Sequence, residues 1–178
     1  AITVECFSLV QDHGVTACLG LSYFNDLGIP AGCEGDLCSI VGMMLAQEVM
    51  GAIPWMANVA GIKGKEVLLA HCTAPANILK GYEVDTHYET GQGTAVKGSL
   101  DASEVTIFRL GNRLDKLFYA NGRVVEGPYE REACRTQLRI VMEDKALEEL
   151  KSRPLGNHHL VLPGDRMEEL KLLSDLLF

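Results

Sequence analysis

The sequence has no long apolar run and few basic residues. No apolar segment reaches the roughly 18 to 20 residues that a membrane-spanning helix needs, so we expect no membrane partner. Sixteen Lys and Arg residues stand against 24 Asp and Glu residues, for a net charge of −8. This balance disfavours nucleic acids and anionic membrane surfaces as partners, because both require a basic surface. The first residues show no charged and apolar leader, from which we expect a cytoplasmic protein.

Closely paired cysteines are also absent. The six cysteines lie at positions 6, 18, 33, 38, 72 and 134, an irregular spacing that favours reduced, buried thiols over three disulfides. A zinc site at Cys33, Cys38 and Cys72 is the alternative. The four residues between Cys33 and Cys38 are a loose spacing for a zinc-binding pair.

The hydrophobic pattern changes near residue 51. Residues 1–50 are predicted to form an α/β segment that begins with a buried strand over residues 2–10. From residue 51 to 178, six or seven short strands separated by turn residues predict a closed antiparallel β-barrel with flanking helices. Asn121–Gly122 predicts a two-residue hairpin turn. Asp165 with Glu168 predicts a capping box at the start of the last helix.

Two carboxylates precede a largely apolar helix in the stretch AGCEGDLCSIVGMMLAQ, residues 31–47. Asp36 is the predicted N-cap, which leaves Glu34 without a structural task. An ionised carboxylate at the positive end of a helix is a suitable ligand for a divalent cation. The alternative is that both carboxylates only cap the helix.

Histidines are the other candidate ligands. His71 ends an apolar strand, and the doublet His158–His159 lies in another strand. Neighbours in a strand point to opposite faces, so only one member of the doublet can face a given site. His87 falls on the polar face of an alternating strand, which predicts a solvated side chain.

Several segments in order resemble the C-terminal half of the L-fucose and L-arabinose isomerase superfamily, and most closely the L-fucose isomerase-like proteins. They are CEGDLCSIVGMMLAQEVMGAIPWMANV, LLAHCT and GNHHLVLPGDRMEEL. The resemblance implies an aldose–ketose isomerase that acts on a sugar through an enediol, with Mn²⁺ or another divalent cation such as Co²⁺ or Mg²⁺. It also implies a homo-oligomer and an N-terminal half of the parent protein that is missing from this sequence.

The fold implied by the resemblance agrees with the pattern read from the residues. Residues 1–50 would be the tail of a Rossmann-like central domain. Residues 51–178 would form a six-stranded Greek-key barrel of the kind found at the C-terminal end of L-fucose and L-arabinose isomerases.

The resemblance also implies roles for single residues. Glu34 matches the first metal-binding glutamate of the family, and His71 matches a histidine that the arabinose branch uses at the metal. His159 matches the last ligand, although a shift of one residue would give that role to His158. His71 and His158 are the expected substrate contacts. Asn58 falls where the family has its second acid, and it is expected to bind the metal through its carbonyl.

Asn58 departs from the family pattern in a way that matters for catalysis. An amide cannot take up a proton, whereas isomerisation requires a group that moves one between two carbons. Either another group has replaced the acid, for which Asp36 is the candidate, or the protein is a non-catalytic sugar-binding or assembly module.

Overall fold

The computed structural model describes residues 1–178, which form five helices and ten strands. The helices are α1 (Cys6–His13), α2 (Cys18–Asp26), α3 (Leu37–Met50), α4 (Asp144–Ser152) and α5 (Met167–Leu177). The strands are β1 (Ile2–Thr3), β2 (Ala31–Gly32), β3 (Trp55–Lys63), β4 (Glu66–His71), β5 (Leu79–Asp85), β6 (Ala95–Leu100), β7 (Glu104–Leu110), β8 (Leu117–Val125), β9 (Thr136–Met142) and β10 (His158–Pro163). None of the helices combines the length and apolar character needed to cross a membrane.

Six strands close into the predicted antiparallel barrel, in the order β10–β3–β4–β9–β8–β7. The consecutive strands β7, β8 and β9 pair with one another, and β10 returns to lie beside β7, which is a Greek-key order. Strands β5 and β6 form a separate hairpin, so they do not belong to the barrel. The division of the chain into a Rossmann-like tail and a barrel domain stays a prediction.

Alternating side chains divide the core into two apolar clusters. One cluster fills the barrel and contains Trp55, Ala57 and Val161. The other lies between the barrel and the helices, where Met56 and Leu160 face α3 and α5. Because successive residues of β3 and β10 face opposite sides, one strand contributes to both clusters. This packing fixes the start of α3 against the barrel wall.

The predicted strand over residues 2–10 is wrong. Only Ile2–Thr3 is a strand, and it pairs in parallel with Ala31–Gly32. Helix α1 follows because the Glu5 side chain accepts a hydrogen bond from the backbone N–H of Ser8, which caps the helix. None of the residues of α1 is fully buried, whereas the prediction required a buried strand.

The predicted turn at Asn121–Gly122 is also wrong, because both residues lie within β8. Asn121 Oδ1 accepts a hydrogen bond from Thr106 Oγ1 at 2.7 Å across the strand pair. A Cβ atom on Gly122 would lie 2.6 Å from Ile140 Cδ1 and 2.9 Å from Ile140 Cβ. The glycine is therefore required for close packing against β9 and not for a turn.

The capping box at α5 does not form as predicted. Arg166 occupies the N-cap position, and its side chain makes no capping hydrogen bond. Asp165 instead accepts a hydrogen bond from the backbone N–H of Met167 at 3.0 Å. The helix begins one residue later than the capping box requires, so Glu168 is not at the third helical position.

Candidate metal and active site

Glu34 lies in a tight turn between β2 and α3. Its φ angle is 57° and that of Gly35 is 64°, both in the left-handed region. The backbone N–H of Gly35 donates to the carbonyl of Val4 at 3.1 Å, which holds the turn against the β1 segment. A glutamate rarely adopts this conformation, and such residues concentrate at functional sites. The turn directs the carboxylate towards the end of the barrel.

Two histidines from the barrel meet this carboxylate. Glu34 Oε1 lies 3.6 Å from His71 Nε2, and Glu34 Oε2 lies 3.3 Å from His158 Nε2. The ligand atoms of all three residues lie within 4.8 Å of one another, and both histidines are buried. We call these three residues the Glu34 cluster. One carboxylate and two imidazoles form a donor set that binds divalent transition-metal ions.

The other ring nitrogen of each histidine is already engaged. His71 Nδ1 lies 2.9 Å from Thr73 Oγ1, and His158 Nδ1 lies 2.9 Å from Asp36 Oδ2. When each Nδ1–H donates to its oxygen partner, the lone pair of Nε2 points into the cluster, as in histidines that bind metals. The buried His158 Nε2 makes no hydrogen bond, although Glu34 is near.

Asp36 contacts His158 on the side of the ring opposite Glu34 and also begins α3. Its Oδ1 accepts a hydrogen bond from the backbone N–H of Ser39 at 2.9 Å, so the predicted N-cap of α3 is confirmed. Its Oδ2 also accepts from Nη1 of the buried Arg109 at 2.5 Å. Burial alone would raise the pKa of Asp36, but the contacts with His158 and Arg109 hold that pKa well below its usual range. Asp36 is therefore ionised.

The charges in the Glu34 cluster favour a bound cation. The neighbouring rings of His158 and His71 hold the pKa of Glu34 well below its usual range, although burial opposes the shift. Burial would lower the pKa of His158, but the two carboxylates, Asp36 and Glu34, raise it. A divalent cation at the cluster would supply the positive charge that the ionised Glu34 carboxylate attracts.

The structure separates the members of the histidine doublet. His159 faces the barrel interior, where its ring lies edge-on to Phe118 with the ring centroids 5.8 Å apart. Burial, and then the charge of Arg109, lowers the pKa of His159 to about 4. The ring that lies beside Glu34 is that of His158, the alternative given by a shift of one residue, and the role of His159 as a ligand stays a prediction. Strand alternation turns the two rings to opposite faces.

A cavity of about 320 Å³ borders the cluster and is lined by Glu34, His71 and Asn58, among other residues. The Asn58 side chain lines this cavity, but Asn58 is not one of the three residues whose ligand atoms meet. A more open depression of about 410 Å³ reaches Glu34 from the side of Asp36 and His158. Glu34 is thus accessible from two sides.

The loop after β5 contributes residues that the sequence did not indicate as part of a site. His87, Tyr88, Glu89 and Thr90 all line the 320 Å³ cavity. The alternating pattern places His87 on a solvated strand face, but β5 ends at Asp85 and the chain then turns towards the cavity. No local signal in the sequence gives the path of this loop.

Comparison with known proteins gives relatives but no family assignment. No protein-family model matches the chain. Proteins named sulfoquinovose isomerase from Priestia aryabhattai and Priestia megaterium are each 28% identical to it over 189 aligned residues. A sulfoquinovose isomerase from Alkalicoccus urumqiensis is 21% identical over 187 residues. Each alignment covers 99% of this chain but only 42% of the relative, so the chain spans less than half the length of these curated relatives. The likeness supports a sugar isomerase-like family and does not single out the L-fucose branch.

Proposed function

We propose that this chain is the cation-binding part of an aldose–ketose isomerase that acts on a sugar. The observation that carries the proposal is the Glu34 cluster, in which one carboxylate and two imidazole Nε2 atoms lie within 4.8 Å. The relatives named sulfoquinovose isomerase support the reaction class. The antiparallel barrel with flanking helices is the fold expected for the C-terminal part of L-fucose isomerase-like proteins.

The donor set of the cluster selects among the expected cations. Two imidazole nitrogens and one carboxylate suit Mn²⁺ or Co²⁺ better than Mg²⁺, which prefers oxygen ligands. Three protein ligands leave positions free for the oxygens of a sugar. When bound, the cation would polarise those oxygens and stabilise the negative charge that develops during isomerisation.

Proton transfer requires a further group in the same cavity. Isomerisation moves a proton between neighbouring carbons, so a side chain must accept it and return it. Asn58 cannot do this, and both oxygens of Asp36 are engaged by other groups. Glu89 is the second carboxylate that lines the cavity with Glu34. We therefore assign proton transfer to Glu89 and a positioning role to Asp36.

The cavity also restricts how a substrate would lie. Its lining includes threonine, tyrosine and histidine side chains but no Lys or Arg. Such a surface suits the hydroxyl and carbonyl oxygens of a sugar. A negatively charged substituent, such as the sulfonate of sulfoquinovose, would require a cation that lies outside this cavity.

Titration with Mn²⁺ by calorimetry tests the proposal. Glu34→Gln and His158→Ala should lose the binding seen with the unmodified protein. His159→Gln is the matched control, because it changes the neighbouring residue on the opposite strand face, and it should retain binding. Equal or absent binding in all four proteins would contradict the proposal. Conversion of sulfoquinovose and of unsubstituted aldoses is then measured in the proteins that bind Mn²⁺.

Asn58 favours a second candidate, a sugar-binding module that has lost catalysis. This function predicts that sugars bind in the presence of Mn²⁺ but are not converted, and that Asn58→Asp introduces or raises isomerase activity. If the unmodified protein converts sugars and Asn58→Asp loses this activity, the protein is instead an active isomerase whose site requires the Asn58 amide.

A further inference from the structure

Thiols form an unusual cluster beside the candidate site. Five of the six cysteines line the 320 Å³ cavity that also contains Glu34: Cys6, Cys18, Cys33, Cys72 and Cys134. All six cysteines are free thiols in the structure. Among them, Cys6 Sγ and Cys33 Sγ lie 3.2 Å apart.

The backbone brings Cys6 and Cys33 together. The backbone N–H of Val4 donates to the carbonyl of Gly32 at 3.2 Å, and the N–H of Gly35 donates to the carbonyl of Val4 at 3.1 Å. These hydrogen bonds lie on either side of Cys33 and join it to Val4, two residues before Cys6, so the sulfur contact follows from the pairing of the two segments. A further approach of about 1 Å would reach the disulfide bond length.

The two thiols differ in access. Cys6 is the first residue of α1 and is partly exposed, whereas Cys33 is only 2% exposed. An accessible thiol that reacts with an oxidant, next to a second thiol that resolves the product, is the arrangement found at redox-responsive sites. Cys38 provides a contrast, because it is also partly exposed but its only polar contact is with the carbonyl of Asn112, at 3.9 Å.

We propose that Cys6 and Cys33 form a reversible disulfide when the protein meets a hydroperoxide, and that this bond changes cation binding at Glu34. The second half of the proposal rests on the proposed function. The chemistry uses two thiols and one equivalent of hydroperoxide.

The reaction balances in two steps. The Cys6 thiolate attacks one peroxide oxygen, so that an S–O bond forms, the O–O bond breaks, and water or an alcohol leaves. The Cys33 sulfur then attacks the Cys6 sulfenic acid, so that the S–S bond forms, the S–O bond breaks, and hydroxide leaves as water with the Cys33 proton. The two thiols are oxidised by two electrons, and the peroxide is reduced. A small dithiol reverses the bond by thiol–disulfide exchange.

The position of Cys33 connects this bond to the cation site. Cys33 immediately precedes Glu34, whose backbone is confined to the left-handed region. Drawing Cys33 towards Cys6 shifts this turn, while Thr73 and Asp36 hold the two histidines in place. Metal ligands tolerate displacements of only about 0.2 Å, so we expect weaker Mn²⁺ binding in the oxidised protein.

Peptide mapping by mass spectrometry tests the disulfide. The protein is treated with stoichiometric hydrogen peroxide, its remaining thiols are alkylated, and linked peptides are identified. We expect a Cys6–Cys33 link that dithiothreitol removes, that persists in Cys38→Ser and that is absent in Cys6→Ser. The absence of a linked peptide, or a link between other cysteines only, would overturn the proposal.

Mn²⁺ titration of the oxidised and reduced protein, after the reagents have been removed, tests the coupling. We expect a lower affinity after peroxide treatment, recovery after reduction, and no effect of peroxide on Cys6→Ser. Equal affinities would overturn the coupling but leave the mapped disulfide intact. If the reduced protein binds no Mn²⁺, the proposed function and the coupling both fail, while the peptide map still decides the disulfide.

Discussion

At the residue scale, Asp36 links the fold to the candidate site. One of its oxygens caps α3, and the other contacts both Arg109 and His158. The Arg109 side chain is only 4% exposed, so its charge depends on a buried partner. The start of the helix, the balance of buried charge and the orientation of one proposed ligand therefore depend on a single carboxylate.

Replacing Asp36 by asparagine keeps the capping of α3, because asparagine is also a good N-cap residue, but it removes the negative charge beside Arg109 and His158. We expect Asp36→Asn to weaken Mn²⁺ binding by about 10- to 100-fold, since His158 loses the carboxylate that orients it. We also expect the free energy of unfolding to fall by about 3 kcal/mol, because the buried charge of Arg109 loses its partner. Calorimetry and urea denaturation measure the two effects. Unchanged Mn²⁺ affinity would show that Asp36 does not orient the ligand.

Glu89 allows a separate test of proton transfer. If this carboxylate moves the proton, Glu89→Gln should lower kcat by about 100-fold or more and leave Mn²⁺ affinity unchanged, because it lies outside the Glu34 cluster. Glu83→Gln is the matched control, since Glu83 lies on the exposed β5 strand. The measurement is kcat in the assay that detects conversion. Equal kcat values for Glu89→Gln and the unmodified protein would exclude this role.

The residues of the site differ in how far sequence alone predicts them. The N-cap at Asp36 follows from local chemistry, and the structure confirms it. Strand alternation shows that His158 and His159 face opposite sides, but it does not say which side faces Glu34. The approach of Glu89 depends on the path of a loop, which is set by contacts between segments distant in sequence.

At the scale of elements, a hydrophobic pattern predicts a strand correctly where buried and exposed side chains alternate regularly. The residues of β9 alternate between buried and partly buried, and this strand was predicted from its period of two. The apolar run at residues 2–10 lacks such a clear period, and the cap at Glu5 decides in favour of helix α1. The pair Asn121–Gly122 has a strong local preference for a turn, but packing against Ile140 overrides it.

Gly122 gives a test of this packing. We expect Gly122→Ala to lower the free energy of unfolding by about 1–3 kcal/mol, because the added methyl group would collide with Ile140 inside a close-packed barrel. Gly61→Ala is the matched control in β3, where an added Cβ meets no atom within 4 Å. Urea denaturation of both variants measures the difference. Equal stability of the two variants would contradict the described contact of β8 with β9.

At the scale of the whole molecule, the number of strands predicts a barrel, but the order of the strands does not follow from the sequence. The β5–β6 hairpin has the same alternating pattern as the barrel strands, and only its pairing shows that it forms a separate sheet. The contact between α3 and the barrel likewise depends on a long-range fit. A Cβ atom on Gly42 would lie 2.6 Å from Leu160 Cδ1 of β10. The absence of a side chain at Gly42 therefore allows α3 to approach the barrel this closely.

The outer face of α5 carries exposed apolar side chains. Leu172 is 55% exposed and Leu176 is 72% exposed, and residues four positions apart lie on the same face of a helix. Leu177 and Phe178 extend this exposed apolar surface. Contiguous apolar patches of this kind mark surfaces that bind other proteins, and the resemblance to isomerases predicts a homo-oligomer.

We therefore expect the protein to self-associate as its concentration increases, and the Leu172→Lys/Leu176→Lys double variant to remain monomeric. The substitutions place two charges on the patch, and burying them at an interface would be unfavourable. Val84→Lys is the matched control, because it changes an exposed apolar residue on the separate β5–β6 hairpin and should leave self-association intact. Sedimentation velocity over a range of concentrations measures the outcome. If the unmodified protein is monomeric throughout, or if the double variant associates equally well, the α5 face is not the interface.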